Sequence, residues 1–385
     1  MKRRLVVLTE IIAPYRIPVF NALAQHESID LHVIFLSETD PSLRQWNVYK
    51  DEIKFSYQVL RAWRKRAGKY NLLLNWGLGK ALSQAFPDAI ICGGYNYIAS
   101  WQAARWAKRH RVPFLLWVES TAYDDRRGQR VVEYLKRKFI GKCDAFVAAG
   151  RSQSEYLQSL RVPKGIIFTA PDAVDNDFFA RTAQAVRKER PVYREALKLP
   201  ERYFLYVGRL VRAKGVFDLL EAYAALAPDL RSEVGLVLVG NGTAQTALAE
   251  RAGRIHPGSV YFAGFAQREG LAAFFALADI LVFPTHSDPW GLVVNEAMAC
   301  GLAVISTTVA GCTADLVQDQ WNGCVVSPHN IGELASAMNL LARNSDLRLR
   351  MAANSRERIL QYSPQACAEG LAGAAIAVGQ RMRHG

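Results

Sequence analysis

The sequence predicts an α/β protein built from two doubly wound domains, each a parallel sheet covered by helices on both faces. Three observations carry that expectation. Short apolar runs of strand length alternate with stretches of helical periodicity from end to end, the pattern of repeated strand–helix–strand units. The alternation lapses once, between residues 179 and 202, where charges crowd. A chain of 385 residues is long for one hydrophobic core and comfortable for two.

Taken in order, the runs at 5–9, 31–36, 57–60, 89–92, 114–118, 145–148 and 166–170 read as strands of the first domain. Those at 203–207, 235–239, 259–262, 280–283 and 304–307 read as strands of the second. Continuous apolar runs such as Ile280 to Phe283 suit strands buried on both faces. The expected boundaries are a first domain over 1–180, a connection over 181–201 and a second domain over 202–363. Ligands of open parallel sheets bind beyond the carboxyl ends of the strands, so both domains are expected to turn strand-end loops toward a central cleft.

The net charge of +13 is unevenly distributed: residues 1–190 hold 31 Lys and Arg against 18 Asp and Glu, while residues 191–385 hold 17 of each. The excess concentrates in residues 61–70 and 126–142. In the second stretch Val131, Val132, Leu135 and Phe139 recur at helical spacing beside Lys136, Arg137 and Lys138. A basic amphipathic helix of that kind either lies on an anionic membrane surface, where each cation contributes about 1 kcal/mol, or packs its apolar stripe on its own domain. No motif for nucleic acid accompanies the charge. Six cysteines, at 92, 143, 300, 312, 324 and 367, form no C-x-x-C pair and read as reduced, mostly buried thiols of a cytoplasmic protein. The seven histidines include no H-E-x-x-H, and no metal is expected. No apolar stretch is long enough to cross a membrane, and the run after Lys2, Arg3 and Arg4 is too short for a signal peptide.

The chemistry gathers in the second half. After the run at 203–207 come Gly208, Arg209, Lys214 and Gly215: two cations five residues apart at a strand end, suited to one diphosphate. Arg offers a planar two-bond fork and Lys a compact charge. After the run at 280–283, Pro284 and Pro289 force a turn and Gly291 opens a helical segment. The amides of Gly291, Leu292 and Val293 would have no partners in a first helical turn, which makes an anion seat. Asp288 and Glu296 flank that helix start, and together these groups suggest a sugar-nucleotide site. Gly240-Asn241-Gly242 begins a dinucleotide fingerprint, but Gln245 stands where its third glycine would be. Asp175-Asn176-Asp177 matches a D-x-D metal–diphosphate pattern, yet it follows the last first-half strand, and Asp177 reads as a cap or turn residue.

Gly208-Arg209-Leu210 with Lys214-Gly215, Val239-Gly-Asn-Gly242, Gly264-Phe265, Ala278-Asp279, Asp288 with Glu296, and Gly301 occur in one order. In that order they resemble the retaining glycosyltransferases of family 4, which have the GT-B fold. Pro14 to Phe20 and Ala170-Pro171 with Val174-Asp175 extend the likeness into the first half. The resemblance implies two Rossmann-like domains facing a cleft, with a C-terminal helix at about 364–383 crossing back to the first. It implies a metal-independent hexosyltransferase with no cofactor, using a UDP- or GDP-sugar donor. Arg209 and Lys214 would bind the diphosphate with Gly208 and the amides of Gly291, Leu292 and Val293. Glu296 would take the ribose hydroxyls, Gly264 and Phe265 the base, and Asp288 the donor sugar. Arg16 and Glu119 are expected on the acceptor side, Glu119 as a base.

Departures from the family pattern are Asp288 where Glu is usual, Glu119-Ser120-Thr121 where His-Gly is common, and Ala13-Pro14-Tyr15 in place of a glycine pair. The expected activity is transfer to a glycan or polyprenyl-pyrophosphate-linked acceptor in cell-surface polysaccharide or glycolipid assembly. It would act in the cytoplasm or on the inner face of the cytoplasmic membrane, with an anionic membrane surface as partner and no nucleic acid. The rival readings are a nicotinamide-dependent oxidoreductase and a non-catalytic sugar-nucleotide binder.

Overall fold

Fifteen strands form three sheets in the computed structural model, which describes residues 2–40, 45–67, 70–123, 130–255 and 258–384. By contacts the chain divides into two units. The first comprises Met1–Ala122, Arg126–Val174 and Ser363–Gly385; the second comprises Tyr123–Asp125 and Asp175–Tyr362.

The first unit contains β1 (Arg3–Thr9), β2 (Ile29–Phe35), β3 (Ser56–Val59), β4 (Arg61–Ala67), β5 (Tyr70–Trp76), β6 (Ala89–Cys92), β7 (Phe114–Val118), β8 (Ala145–Ala148) and β9 (Ile167–Thr169). Seven of them make one parallel sheet in the order β3-β2-β1-β6-β7-β8-β9. Alternate residues of β1 enter opposite layers: Leu5 and Val7 pack in one core, Val6 and Leu8 in the other. This is the two-sided burial that a continuous apolar run forecasts. The first core also takes Cys367, Leu371, Ala375 and Val378 of the C-terminal helix Pro364–His384, which therefore completes the first unit.

The second unit contains β10 (Arg202–Val207), β11 (Val234–Val239), β12 (Val260–Gly264), β13 (Ile280–Phe283), β14 (Ala303–Thr307) and β15 (Gly323–Val326). They form a parallel sheet in the order β12-β11-β10-β13-β14-β15. Counted within the unit, that is the 3-2-1-4-5-6 order of a dinucleotide-binding sheet.

Three stretches differ from the sequence expectation. Residues 61–70, noted for their charge and given no strand, supply strand β4 and the start of β5, which pair antiparallel outside the main sheet; Gly68 and Lys69 lie outside the described residues. Residues 181–201, expected as a connection, are mostly helical: Asn176–Lys188 and Arg190–Leu197, the first packing on helix Arg268–Leu277 within the second unit. In Asp175-Asn176-Asp177 the cap is Asp175, which accepts from the Phe178 amide at 2.9 Å, while Asp177 sits in the first turn.

The basic helix spans Arg130–Ile140; residues 126–129 lie outside the described residues. Among its described side chains Lys136 and Phe139 are buried, whereas Tyr134 and Leu135 are exposed. Of the apolar stripe read from the spacing, Phe139 thus packs inside and Leu135 does not. The Lys136 stem packs inward while its ammonium donates to Glu133 at 2.8 Å and to Tyr156, so a long cation occupies the inward position. The six cysteines are free, five of them buried, and burial pushes the thiols of Cys92 and Cys324 up to about 11. Among the described residues no helix is long and apolar enough to cross a membrane.

Candidate functional site

In the second sheet the chain leaves β10 toward β11 on one side and returns to β13 on the other. The crevice at such a switch point is where open α/β sheets bind ligands. The loops that follow β10 and β13 carry Gly208–Gly215 and Pro284–Gly291.

These loops are stitched together. The His286 amide donates to the Ala213 carbonyl at 3.0 Å. The Lys214 ammonium donates to the Ser287 carbonyl at 2.7 Å and to Asp288 Oδ2 at 2.6 Å. Asp288 Oδ1 accepts from the Trp290 amide at 3.1 Å, and its carbonyl accepts from the Gly311 amide at 3.0 Å. Lys214 and Asp288, 74 residues apart, thus form a largely buried charge pair, their side chains 12% and 20% exposed. The Oδ1 bond to the amide two residues on is an Asx turn, a geometry that Asp adopts readily and the longer Glu does not. This is a local reason for Asp at 288.

Gly291 enters helix Leu292–Ala299 at φ +100°. A Cβ there would lie 2.6 Å from the Phe283 ring, so both the left-handed backbone and the close ring require glycine. No protein acceptor is found for the amides of Gly291, Leu292 and Val293 among the described residues, while Val294 already bonds back to the Gly291 carbonyl. The helix therefore presents three free N–H groups. Arg209 is exposed, and among the described residues its guanidinium meets no acid; its carbonyl is fixed by the buried Tyr206 hydroxyl at 2.9 Å. Glu296 is half-buried and has no ion-pair or hydrogen-bond partner for its carboxylate among the described residues. Burial pushes that carboxyl up to about 8.

Gly264 ends β12, and its carbonyl accepts from the Gly240 amide at 2.7 Å; Phe265 beside it exposes its ring. The glycines at 240 and 242 are required by backbone: a Cβ on either would collide with the carbonyls of Gly208 and Leu210. Here the partial dinucleotide fingerprint packs one strand-end loop on another, the tight turn that its two glycines suggested.

Arg16 and Glu119 meet in the first unit. Buried Arg16 donates to Asp172 at 3.0 Å and to Glu119, and its guanidinium lies 3.9 Å from the Trp117 ring centroid. Burial acts to lower the Arg16 pKa, but Asp172 and Glu119 outweigh it and hold the residue charged. Burial pushes Asp172 up to about 6 against the pull of Arg16. Sequence reasoning did not single out Asp172, 156 residues from Arg16 in the chain, or Trp117. It also passed over Asp218, His286 and His329, which converge although no spacing links them.

A family model described as Glycosyl transferases group 1 matches residues 189–358, and one described as Glycosyltransferase Family 4 matches residues 21–178. The D-inositol 3-phosphate glycosyltransferase of Xylanimonas cellulosilytica is 30% identical over 236 residues, 57% of this chain and 54% of that protein. The O-antigen chain mannosyltransferase C of Escherichia coli is 26% identical over 235 residues, 60% of each chain. The match thus spans a little over half the length of these relatives. Anabaena Alr3699/HepE, solved in complex with UDP, shares the fold at a TM-score of 0.72 and 16% identity, over 100% of this chain and 99% of that one. A glycosyltransferase from Rickettsia africae shares it at 0.76 and 13%, over 98% and 99%. The structural neighbours show that the two Rossmann-like sheets have the GT-B fold, and with a glycosyltransferase family model on each half the chain belongs to the family 4 glycosyltransferases.

Proposed function

We propose that this glycosyltransferase moves a hexose from a UDP- or GDP-linked donor, with retention of anomeric configuration, to a glycan or polyprenyl-pyrophosphate-linked acceptor. The observation that carries the reading is the set of unmatched donors at the switch point: the Arg209 guanidinium and the amides of Gly291, Leu292 and Val293, beside Lys214. A diphosphate is the ligand that such a set complements. The UDP held by the Anabaena neighbour supports a nucleotide donor. The O-antigen role in the name of the Escherichia coli relative supports a step in cell-surface glycan or glycolipid assembly.

The difficult event is departure of the nucleoside diphosphate. Arg209, Lys214 and the helix tip stabilise the charge that builds on its oxygens, so the scheme needs no metal. Asp288 holds the Lys214 ammonium in place and lies beside the donor sugar. Glu296 accepts from the ribose hydroxyls, and Phe265 with the backbone at Gly264 seats the base. The acceptor hydroxyl attacks from the face the phosphate leaves. The sugar–phosphate C–O bond breaks as the new C–O bond forms, and the acceptor proton passes to the departing phosphate oxygen. In the first unit Arg16 orients Glu119 for the acceptor side. NMR of the new linkage tests the scheme: an axial or equatorial anomeric bond matching the donor is expected, and an inverted one overturns it.

A membrane-surface acceptor is supported by the β4–β5 pair. One face carries Arg61 opposite Trp76, Trp63 opposite Leu74 and Lys65 opposite Leu72. On that face Trp63 is 45% and Trp76 56% exposed. The other face turns Leu73 inward and anchors Arg64 to Asp40 at 2.6 Å and Glu10 at 3.0 Å. Tryptophan among cations suits the headgroup layer of an anionic bilayer. Flotation with anionic liposomes at low salt should carry the protein, release it in high salt, and fail for the Trp63→Ser, Trp76→Ser double variant. Equal flotation of that variant would exclude the hairpin as the docking face.

A further inference from the structure

We propose that Asp218, His286 and His329 form a site for one divalent transition-metal ion of the zinc type, separate from the transfer chemistry. Asp218 lies in the first turn of helix Val216–Ala224, His286 in the loop after β13, and His329 in the loop after β15. His286 Nε2 lies 2.7 Å from Asp218 Oδ2, and His329 Nδ1 lies 3.7 Å from the same oxygen. All three ligand atoms fall within 4.8 Å of one another, and among the described residues no other His, Cys, Asp and Glu group converges so.

The spacing fits an ion. Zinc binds imidazole nitrogen and carboxylate oxygen at about 2.0–2.1 Å, which puts tetrahedral neighbours about 3.4 Å apart. The observed 2.7 and 3.7 Å bracket that separation, so small ring rotations suffice. At 3.7 Å, His329 is too far from Asp218 for a hydrogen bond, yet its ring is laid against His286 with centroids 3.6 Å apart. The residue holds this pose at φ +62°, in the left-handed region, although its side chain is 68% exposed. The contact with the His286 ring is what holds this otherwise exposed imidazole beside Asp218. Two imidazoles and one carboxylate select zinc, cobalt or nickel over magnesium or calcium. Three protein ligands leave a coordination position for water.

Position determines what the ion would do. Asp218 follows Lys214 by four residues and His286 precedes Asp288 by two. A bound ion would tie together the loops already joined by the Lys214–Asp288 pair and fasten the loop after β15 to them. Occupancy should therefore lower the donor KM, a consequence that rests on the function proposed above; the binding claim does not.

The test is a Co2+ titration of the full chain followed by visible absorption, with Zn2+ competition and a Mg2+ control. Expected are one Co2+ per chain with the intense visible bands of four-coordinate nitrogen and oxygen ligation, displacement by Zn2+, and no response to Mg2+. His329→Ala, exposed and outside the donor machinery, should keep the fold by circular dichroism, keep metal-free transfer, and bind at least roughly tenfold more weakly. Asp218→Asn should weaken binding likewise. Absence of a saturable spectrum, thiolate-to-cobalt bands, or unchanged affinity in His329→Ala would overturn the site. If no nucleotide sugar supports transfer, the function fails while the cobalt titration still reads the site.

Discussion

The two sheets share a winding order and differ in how charge is balanced at their strand ends. In the first unit the cation is fully answered: Arg16 is buried between Asp172 and Glu119 and stacked on Trp117. In the second, Lys214 has one carboxylate, Arg209 has none among the described residues, and three helix-tip amides are open. The same architecture thus carries a closed network in one copy and an open one in the other. Charge that is internally balanced is already occupied and costly to break; charge left over is available for a ligand. That difference, rather than the fold, directs attention to the second unit for the anionic donor.

Substitutions can break the contrast. Arg16→Ala should have the largest effect, a loss of about 3–5 kcal/mol of stability, because it leaves the Asp172 carboxylate buried without its counter-charge; equilibrium denaturation reads it. Lys214→Ala should lower kcat by about a hundredfold to a thousandfold, the range for removing a group that stabilises developing charge, in steady-state assays with the donor. Arg209→Ala should lower kcat/KM by roughly tenfold to a hundredfold, as expected for one charge-assisted bond, and leave Tm unchanged because the side chain is exposed. If Arg209→Ala unfolded the protein and Arg16→Ala only slowed it, the contrast would be reversed.

Glu296 supplies the smallest effect and sharpens the comparison by pH. Its carboxyl titrates at about 8 in the folded protein because burial disfavours the charge, against about 4.3 for an unfolded Glu. The folded state therefore holds the extra proton between those values, and stability declines as pH rises through that window. Thermal melts from about pH 6 to about pH 9 should show the decline in the wild type and a flatter profile in Glu296→Gln. Ribose hydroxyls donate to the ionised form and favour it, so donor affinity should improve over the same climb in the wild type only.

The strands were legible where apolar runs were continuous, because burial on both faces leaves no room for polar alternation. The runs at 89–92, 114–118 and 280–283 coincide with β6, β7 and β13. Strand β4 was hidden because Arg61, Arg64, Lys65 and Arg66 resemble a solvated run, and its one anchored cation depends on Glu10 and Asp40 far away in sequence. The inward Lys136 was hidden for a related reason: apolar spacing identifies a stripe, not the partner that admits a cation beneath it. At the site, residue types at strand ends pointed to Arg209, Lys214 and the Gly291 turn. Nothing in the spacing revealed that Lys214 closes on Asp288, that Arg16 joins Asp172, or that His329 folds over His286. Those contacts are set by which loops the sheet order brings side by side.

The return of the last helix to the first unit also bears on the order of events at the ribosome. Residues 175–362 supply all of the second unit except the short piece Tyr123–Asp125, which is made earlier, so that body can fold as soon as it emerges. The earlier-made first unit cannot close its core until Cys367, Leu371, Ala375 and Val378 arrive. The N-terminal segment is synthesised first and finished last: helix Ile17–Gln25 covers part of that sheet face early, but the part over β6, β8 and β9 stays open throughout translation of the second unit, the interval in which a chaperone would be needed.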